Sequence, residues 1–195
     1  MLAFDLETTG LDPRVCEITC ASAWGDGVQE SFIFPTGDEP EAFMQLLDAA
    51  ERLCCFNGVR FDIPFMQARW AVPPERVAAW RVKVHDVFEG CRLGLGLTFS
   101  LNALLSVNGR AAKTGSGAEA VEMAKAGRWE ELGAYCLADA RLTHGVSSLA
   151  RIRLPRSPGL VMCADGRFAA VPGGPGPVMC GDGRCASAPG GPGRP

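Results

Sequence analysis

The chain has 195 residues, 47% of them hydrophobic, which suffices for one domain with a substantial core. Its formal net charge of −3 and the lack of any basic block exclude the footprint of an architectural nucleic-acid binder. No apolar run approaches the roughly 18 residues of a membrane span, and an acidic motif at positions 5 and 7 leaves no room for a signal or transit peptide, so no membrane association and a cytoplasmic location are expected.

Strands are expected over 2–7, 15–24 and 28–35, joined by turns such as Gly25-Asp26-Gly27. The first strand runs into Phe4-Asp5-Leu6-Glu7-Thr8-Thr9-Gly10. In extended backbone, side chains two apart point the same way, so Asp5 and Glu7 share one edge while Phe4 and Leu6 take the other. Carboxylates at fixed separation, with water completing the shell, suit Mg²⁺ or Mn²⁺; the alternative is a solvated strand end. Thr9-Gly10 supplies a turn in which substrate can come close to the backbone.

Apolar residues at helical spacing place a helix over 41–52, followed by a fourth strand over 53–56. A third acid, Asp62, then lies between aromatics in Asn57-Gly58-Val59-Arg60-Phe61-Asp62-Ile63-Pro64-Phe65. Pro64 fits the first turn of a helix over 63–70, which leaves N-capping as the alternative role for Asp62. Phe61 and Phe65 suit either stacking on terminal bases or core packing. A fifth strand is expected over 82–88, with His85-Asp86 at its end, and a helix over 100–107. With two His in the whole chain, that dipeptide lacks the further ligands a His-Asp phosphohydrolase needs. Gly94-Leu95-Gly96 and Gly115-Ser116-Gly117 lack Walker spacing and read as loops, the second bringing Lys113 towards phosphate. Arg60, Lys83 and Arg110 are the other local bases available to a phosphate chain.

A helical region over 118–151, broken near Gly127, contains Tyr135-Cys136-Leu137-Ala138-Asp139. A spacing of four puts Tyr135 and Asp139 on one face, as in any helix surface pair. The nine cysteines lack paired C-x-x-C spacing and sit mostly in apolar segments, so reduced core thiols are expected rather than a structural metal site.

Taken together, the three acidic segments resemble the RNase H-like 3'-to-5' exonucleases of the DEDD superfamily, in its Tyr-containing branch, with the proofreading domains of family B DNA polymerases the nearest likeness. Asp5 and Glu7 match the first motif, Asn57 with Phe61-Asp62 the second, and Tyr135-x-x-x-Asp139 the third. In the His branch a His would stand five residues before the last Asp; here that residue is Ala134, and His144 lies on the other side. The resemblance covers about residues 1–150 and implies an α/β fold with a mixed five-stranded sheet flanked by helices.

It further implies a catalytic set of Asp5, Glu7, Asp62, Tyr135 and Asp139, in which the four acids hold two divalent ions that clamp both oxygens of an in-line phosphoryl displacement. Asp5 would bridge the ions, Glu7 and Asp139 would serve the ion that activates water, and Asp62 the other. Tyr135, with an ordinary pKa near ~10, would orient the attacking water while still protonated. Thr8, Asn57, Phe61 and Phe65 would contact the terminal nucleotides. The implied activity is release of nucleoside monophosphates from single-stranded 3' ends, DNA favoured over RNA. RNA trimming, or a binding or adaptor module without turnover, are the alternatives, and proofreading would require a separate polymerase as partner.

From residue 154 the composition changes. Val161-Met162-Cys163-Ala164-Asp165-Gly166-Arg167 recurs seventeen positions later as Val178-Met179-Cys180-Gly181-Asp182-Gly183-Arg184, and Pro172-Gly173-Gly174-Pro175-Gly176 recurs likewise. Two Pro/Gly-rich copies cannot build a solenoid core. The expected organisation is therefore a catalytic domain over 1–153 and a tail over 154–195 with little fixed structure.

Overall fold

The computed structural model describes residues 1–171. Three strands open it, β1 (Leu2–Thr8), β2 (Ile18–Gly25) and β3 (Val28–Ile33), followed by one 3₁₀ turn at Phe34–Thr36. The β2–β3 hairpin closes on Gly25-Asp26-Gly27, all three at positive φ, the left-handed backbone that Gly and Asp accept. Then come α1 (Pro40–Ala49), β4 (Leu53–Cys55), α2 (Asp62–Arg69), α3 (Pro74–Lys83), β5 (Val84–Asp86), α4 (Val87–Leu95), α5 (Leu101–Val107), α6 (Gly117–Lys125) and α7 (Trp129–Ser147). Among the described residues no helix is long and apolar enough to cross a membrane.

The five strands form one mixed sheet in the order β3-β2-β1-β4-β5. β1 is central, antiparallel to β2 and parallel to β4, and β4 is parallel to β5. Its two-residue period sorts the site from the core: Leu2, Phe4 and Leu6 enter a buried cluster with Phe43, Met66 and Trp80 from α1, α2 and α3. On the opposite face, α7 lies across the first three strands, packing Leu132, Tyr135 and Cys136 against Cys20. Close approach there requires Gly133, where a Cβ would stand 3.3 Å from Ile33 Cδ1, and Ser31 Oγ donates to the Gly133 carbonyl at 2.9 Å.

The expected strand over 82–88 shortens to Val84–Asp86. Val82 and Lys83 complete α3, and Asp86 caps α4 by accepting from the Glu89 N–H at 3.1 Å. Neither α3 nor α4 was legible in the pattern: α3 buries only Val77 and Trp80, too few positions to print a helical period.

The expectation of an unstructured tail from 154 is corrected for its first part. β6 (Arg151–Leu154), β7 (Ser157–Cys163) and β8 (Phe168–Ala170) make a second antiparallel sheet in the order β6-β7-β8. Ile152, Leu154, Leu160 and Met162 from this sheet share a buried cluster with Val87, Cys91, Leu104, Leu105 and Val146. The alternation Arg151-Ile152-Arg153-Leu154 is a half-buried strand signal; the Pro/Gly repeat beyond it masked that signal. The second repeat copy and both Pro-Gly-Gly-Pro-Gly segments lie outside the described residues.

Candidate active site

Asp5 and Glu7 project from β1 towards α7, opposite Ser22 and Cys20 of β2. The Glu7 carbonyl accepts from Thr19 Oγ1 at 3.0 Å, and the ladder shifts register between Glu7 and Thr8, ending regular pairing at the site's edge. Thr8 is buried, its hydroxyl donated to the Gly10 carbonyl at 2.6 Å. From α7, Cys136 Sγ donates to the Asp5 carbonyl at 3.4 Å, and ligand atoms of Asp5, Glu7 and Cys136 lie within 4.8 Å of one another. Cys136 precedes Asp139 by three residues, the spacing that shares a helix face, so its place beside the acids was readable from sequence.

Asp62 arrives by a different device. Asn57 adopts φ +65, a left-handed turn that Asn tolerates better than most residues. The turn is clamped by Asp86, whose carboxylate accepts from the N–H groups of Asn57 at 2.9 Å and Val59 at 3.0 Å as well as capping α4. A Cβ on Gly58 would fall 2.7 Å from Cys55 Sγ and 3.0 Å from Asp62 Oδ2, so only Gly lets the turn lie against the acid. Three half-buried backbone donors converge on one carboxylate, and hydrogen bonds to charged groups contribute about 1.5–3 kcal/mol each. Replacement Asp86→Ala is therefore expected to cost about 3–5 kcal/mol, read as a lower urea midpoint, with Asp86→Asn retaining part of the loss.

The N-cap of α2 is Phe61, and no side chain caps that terminus. Asp62 is thus the first helical residue, its carboxylate is not spent on capping, and Oδ1 is buried without a hydrogen-bond partner among the described residues. Tyr135 also has a buried hydroxyl, with no partner at hydrogen-bond geometry among the described residues, although it lies close enough to Asp139 to influence that carboxyl. Asp139, one turn on, accepts from Lys113 Nζ at 2.5 Å, and that ammonium lies 5.1 Å from the Tyr135 ring centroid. The loop bringing Lys113 continues flat over the ring: a Cβ on Gly115 would be 2.9 Å from Tyr135 Cε2.

Electrostatics tie the four acids into one cluster. Burial pushes the Asp5 carboxyl well up, and Glu7, Asp62 and Asp139 add to the push. Burial and Asp139 take Glu7 up to about 8; burial takes Asp62 to about 7, with Asp86 adding. Asp139 is raised by burial against the opposing pull of Lys113. Tyr135 rises to about 12, through burial and then Asp139, so its phenol stays protonated at neutral pH. Hard oxygen donors that repel one another, one of them orphaned in the interior, are a donor set that fits Mg²⁺ or Mn²⁺.

A pH dependence follows. A carboxyl whose folded pKa is raised contributes stability below its unfolded pKa and loses it as pH climbs through the folded value. The metal-free protein is therefore expected to lose stability between about pH 4 and pH 8, the span set by Glu7 and Asp62. Thermal melts in EDTA across that range check this: Asp62→Asn should flatten the slope, and a midpoint constant from pH 4 to 8 would contradict it.

The remaining expected contacts divide. Phe61 is half-buried at the start of α2, its ring 4.8 Å from that of Phe65. Phe65 is corrected as a base-stacking residue: at 1% exposure it packs in the core with Ile63 and Met66, because helical spacing turns it inward. Asn57 Oδ1 is buried and without a partner among the described residues. Lys83 donates to the carbonyls of Asp48 and Ala50, closing the end of α1 instead of facing phosphate. Cys20, Cys54, Cys55, Cys91 and Cys136 are buried free thiols, as the apolar settings implied.

Among curated proteins none matches this sequence. A solved polymerase structure does share the fold. Residues covering 75% of the chain superpose on the family B DNA polymerase of the hyperthermophilic archaeon Pyrobaculum calidifontis with a TM-score of 0.59 and 18% identity, spanning 24% of that polymerase. An Escherichia coli exonuclease I–single-stranded DNA complex gives a TM-score of 0.46 at 17% identity, over 76% of this chain and 39% of that one. The chain thus spans about a quarter of the polymerase and two fifths of the exonuclease. Residues 2–148, which take in all five strands of the main sheet and α7, match the family model of the RNase H superfamily, and the chain belongs to that superfamily.

Proposed function

We propose that this chain is a divalent-metal-dependent 3'-to-5' exonuclease of the Tyr branch, removing nucleoside monophosphates from single-stranded ends, DNA in preference to RNA. One observation carries the reading: Asp62 is buried with an oxygen that has no hydrogen-bond partner among the described residues, close enough to Asp5 and Glu7 for its charge to raise both, an arrangement that costs stability unless cations complete it. Preference for DNA takes its support from the fold shared with a family B DNA polymerase.

In this reading Asp5, Glu7, Asp62 and Asp139 hold the cations, which when bound supply positive charge to the scissile phosphate and acidity to the attacking water. Tyr135, protonated and buried beside Lys113 and Asp139, aims that water at phosphorus. Lys113 holds Asp139 in its rotamer and presents positive charge beside the phosphate path. Phe61, half-buried at the start of α2, offers a ring to the terminal base, and Asn57 and Thr8 contact the terminal nucleotides.

The test is a paired assay on 5'-labelled single-stranded DNA and RNA with Mg²⁺, Mn²⁺ or EDTA. Stepwise shortening from the 3' end, abolished by EDTA, is expected on DNA. Release from neither polymer sinks the proposal, and faster trimming of RNA moves it to an exoribonuclease.

Branch assignment has its own check. Tyr135→Phe keeps the packed ring and removes only the hydroxyl, so single-turnover cleavage should slow ~10²-fold with the fold intact. His144 packs over Gly25 of the β2–β3 hairpin, and His144→Ala should leave that rate unchanged. The reverse pattern overturns the branch and leaves the carboxylate cluster standing.

A further inference from the structure

Charge is distributed unevenly over this acidic chain. Segments 96–118 and 145–171 together contain six Lys or Arg side chains (Arg110, Lys113, Arg151, Arg153, Arg156 and Arg167) and a single acid, Asp165. Asp165 is already paired with Arg167 at 2.6 Å. Arg110, Arg151, Arg153 and Arg156 are exposed, and among the described residues none of their side chains makes an ion pair or hydrogen bond.

The small sheet arranges them. Register pairs Arg151 with Cys163 and Arg153 with Val161, and Val161 with Ala169, so these residues share the face opposite the buried Ile152 and Met162. On that face a 280 Å³ depression is lined by Arg151, Arg153, Val161 and Val171. Around the end of the sheet it adjoins a 390 Å³ depression that shares Arg153 and Val171, adds Arg156 and is lined also by Val107, Pro158 and, from the Met162 face, Leu160. The result is a trough with an apolar floor and an arginine rim.

A short tether joins the trough to the carboxylates. Asn108 grips Arg153 on both sides, Nδ2 donating to the Arg153 carbonyl at 2.9 Å and Oδ1 accepting from its N–H at 2.9 Å. Five residues further on, Lys113 reaches Asp139. Even fully extended, five residues span at most about 18 Å, and Arg110 stands between.

We propose that the β6–β8 sheet is a second nucleic-acid contact, holding backbone phosphates of the single strand a few nucleotides upstream of the 3' end at the carboxylates, with Arg151, Arg153 and Arg156 as the phosphate ligands. The proposal rests on the exonuclease reading and names where the body of its substrate lies. Charge complementarity selects the occupant: unpaired guanidiniums at a fixed spacing match a polyphosphate chain, and the apolar floor suits unpaired bases. The side chains of residues 172–195 include one acid, Asp182, against two bases, Arg184 and Arg194, so that segment offers no net negative charge to compete for the guanidiniums.

The experiment measures binding of a fluorescent single-stranded 20-mer to the full chain in EDTA, where hydrolysis does not enter, as a function of salt. Each single-strand phosphate contact contributes about 0.7 to the slope of log K against log salt. The triple variant Arg151→Gln/Arg153→Gln/Arg156→Gln should lose about 2 from that slope, while the triple Lys variant keeps it. An unchanged unfolding midpoint in both confirms that the exposed substitutions leave the fold alone. A wild-type slope in the Gln variant overturns the proposal, even if the chain cleaves DNA as expected. A lost slope in a chain that releases no nucleotide in the paired assay keeps the contact and discards the exonuclease reading. Equal loss of affinity for a polyglutamate of matching charge assigns the trough to an acidic protein and also overturns it.

Discussion

Replacing Asp5 with Ala or Asn is expected to lower turnover by at least ~10³-fold, beyond the ~10²–10³ of a single transition-state hydrogen-bond donor. Asp5 stands at the centre of the cluster: its carboxyl is raised by burial and by Glu7, Asp62 and Asp139 together, so it faces every other acid of the set. On the proposed reading, removing it withdraws the group best placed to serve more than one cation and loosens the hold of the remaining three. The same substitution relieves repulsion, so the metal-free variant should melt no lower than the parent and higher near pH 8. A functional group held at the expense of stability is the usual trade at active sites. Single-turnover cleavage and EDTA melts on one preparation measure both effects. Near-normal turnover in the Asp5 variant removes the basis for the assignment, and parallel losses of turnover and stability would make Asp5 a structural residue.

The second large effect concerns the small sheet. A chain ending at residue 154 loses β7 and β8, and with them Leu160 and Met162, which are 7% and 1% exposed. Val87, Cys91, Leu104, Leu105 and Val146 would then face water. Large apolar side chains cost about 2–5 kcal/mol when truncated to Ala, so losing two together with their sheet consumes much of a domain's roughly 5–15 kcal/mol. Loss of a cooperative transition, or a midpoint lower by many degrees, is expected for the 1–154 chain. The chain ending at residue 171 should unfold like the parent. Ile152→Ala, at a site with no exposure, tests the same cluster without truncation and should cost about 2–5 kcal/mol. Equal midpoints for the 1–154 chain and the parent would show that the sheet is dispensable.

Much of the architecture was legible because β1 and α7 obey their periods. Phe4 and Leu6 against Asp5 and Glu7 is a two-residue alternation, and Tyr135 with Asp139 a four-residue one, so both motifs could be placed on a strand and a helix before the fold was known. What escaped depends on contacts between distant segments. Asp86 looked like a strand end near the cleft; its work of holding the 57–59 turn involves residues 27 and 29 positions away and prints no local pattern. Phe65 escaped for a related reason, since an aromatic after an acidic motif suits base and core equally until the helix direction is known. That Lys113 also pairs with Asp139, 26 residues on, was not legible for the same reason. The ordered sheet after 150 was hidden by composition, because Pro and Gly in a repeat outweigh two short alternating strands in any window wide enough to detect disorder.

The way α7 closes the main sheet bears on when the chain becomes active as it is made. Asp5, Asp62 and Asp139 come from the beginning, middle and end of the superfamily region, and only docking of α7 across β1, β2 and β3 unites them. Such long loops close late, after local helices and the β2–β3 hairpin have formed. A nascent chain stalled before residue 129, where α7 begins, has three of the four acids and lacks both Tyr135 and Asp139. On the proposed function, competence would be conferred in that one final docking event, and partly synthesised molecules would lack the assembled site.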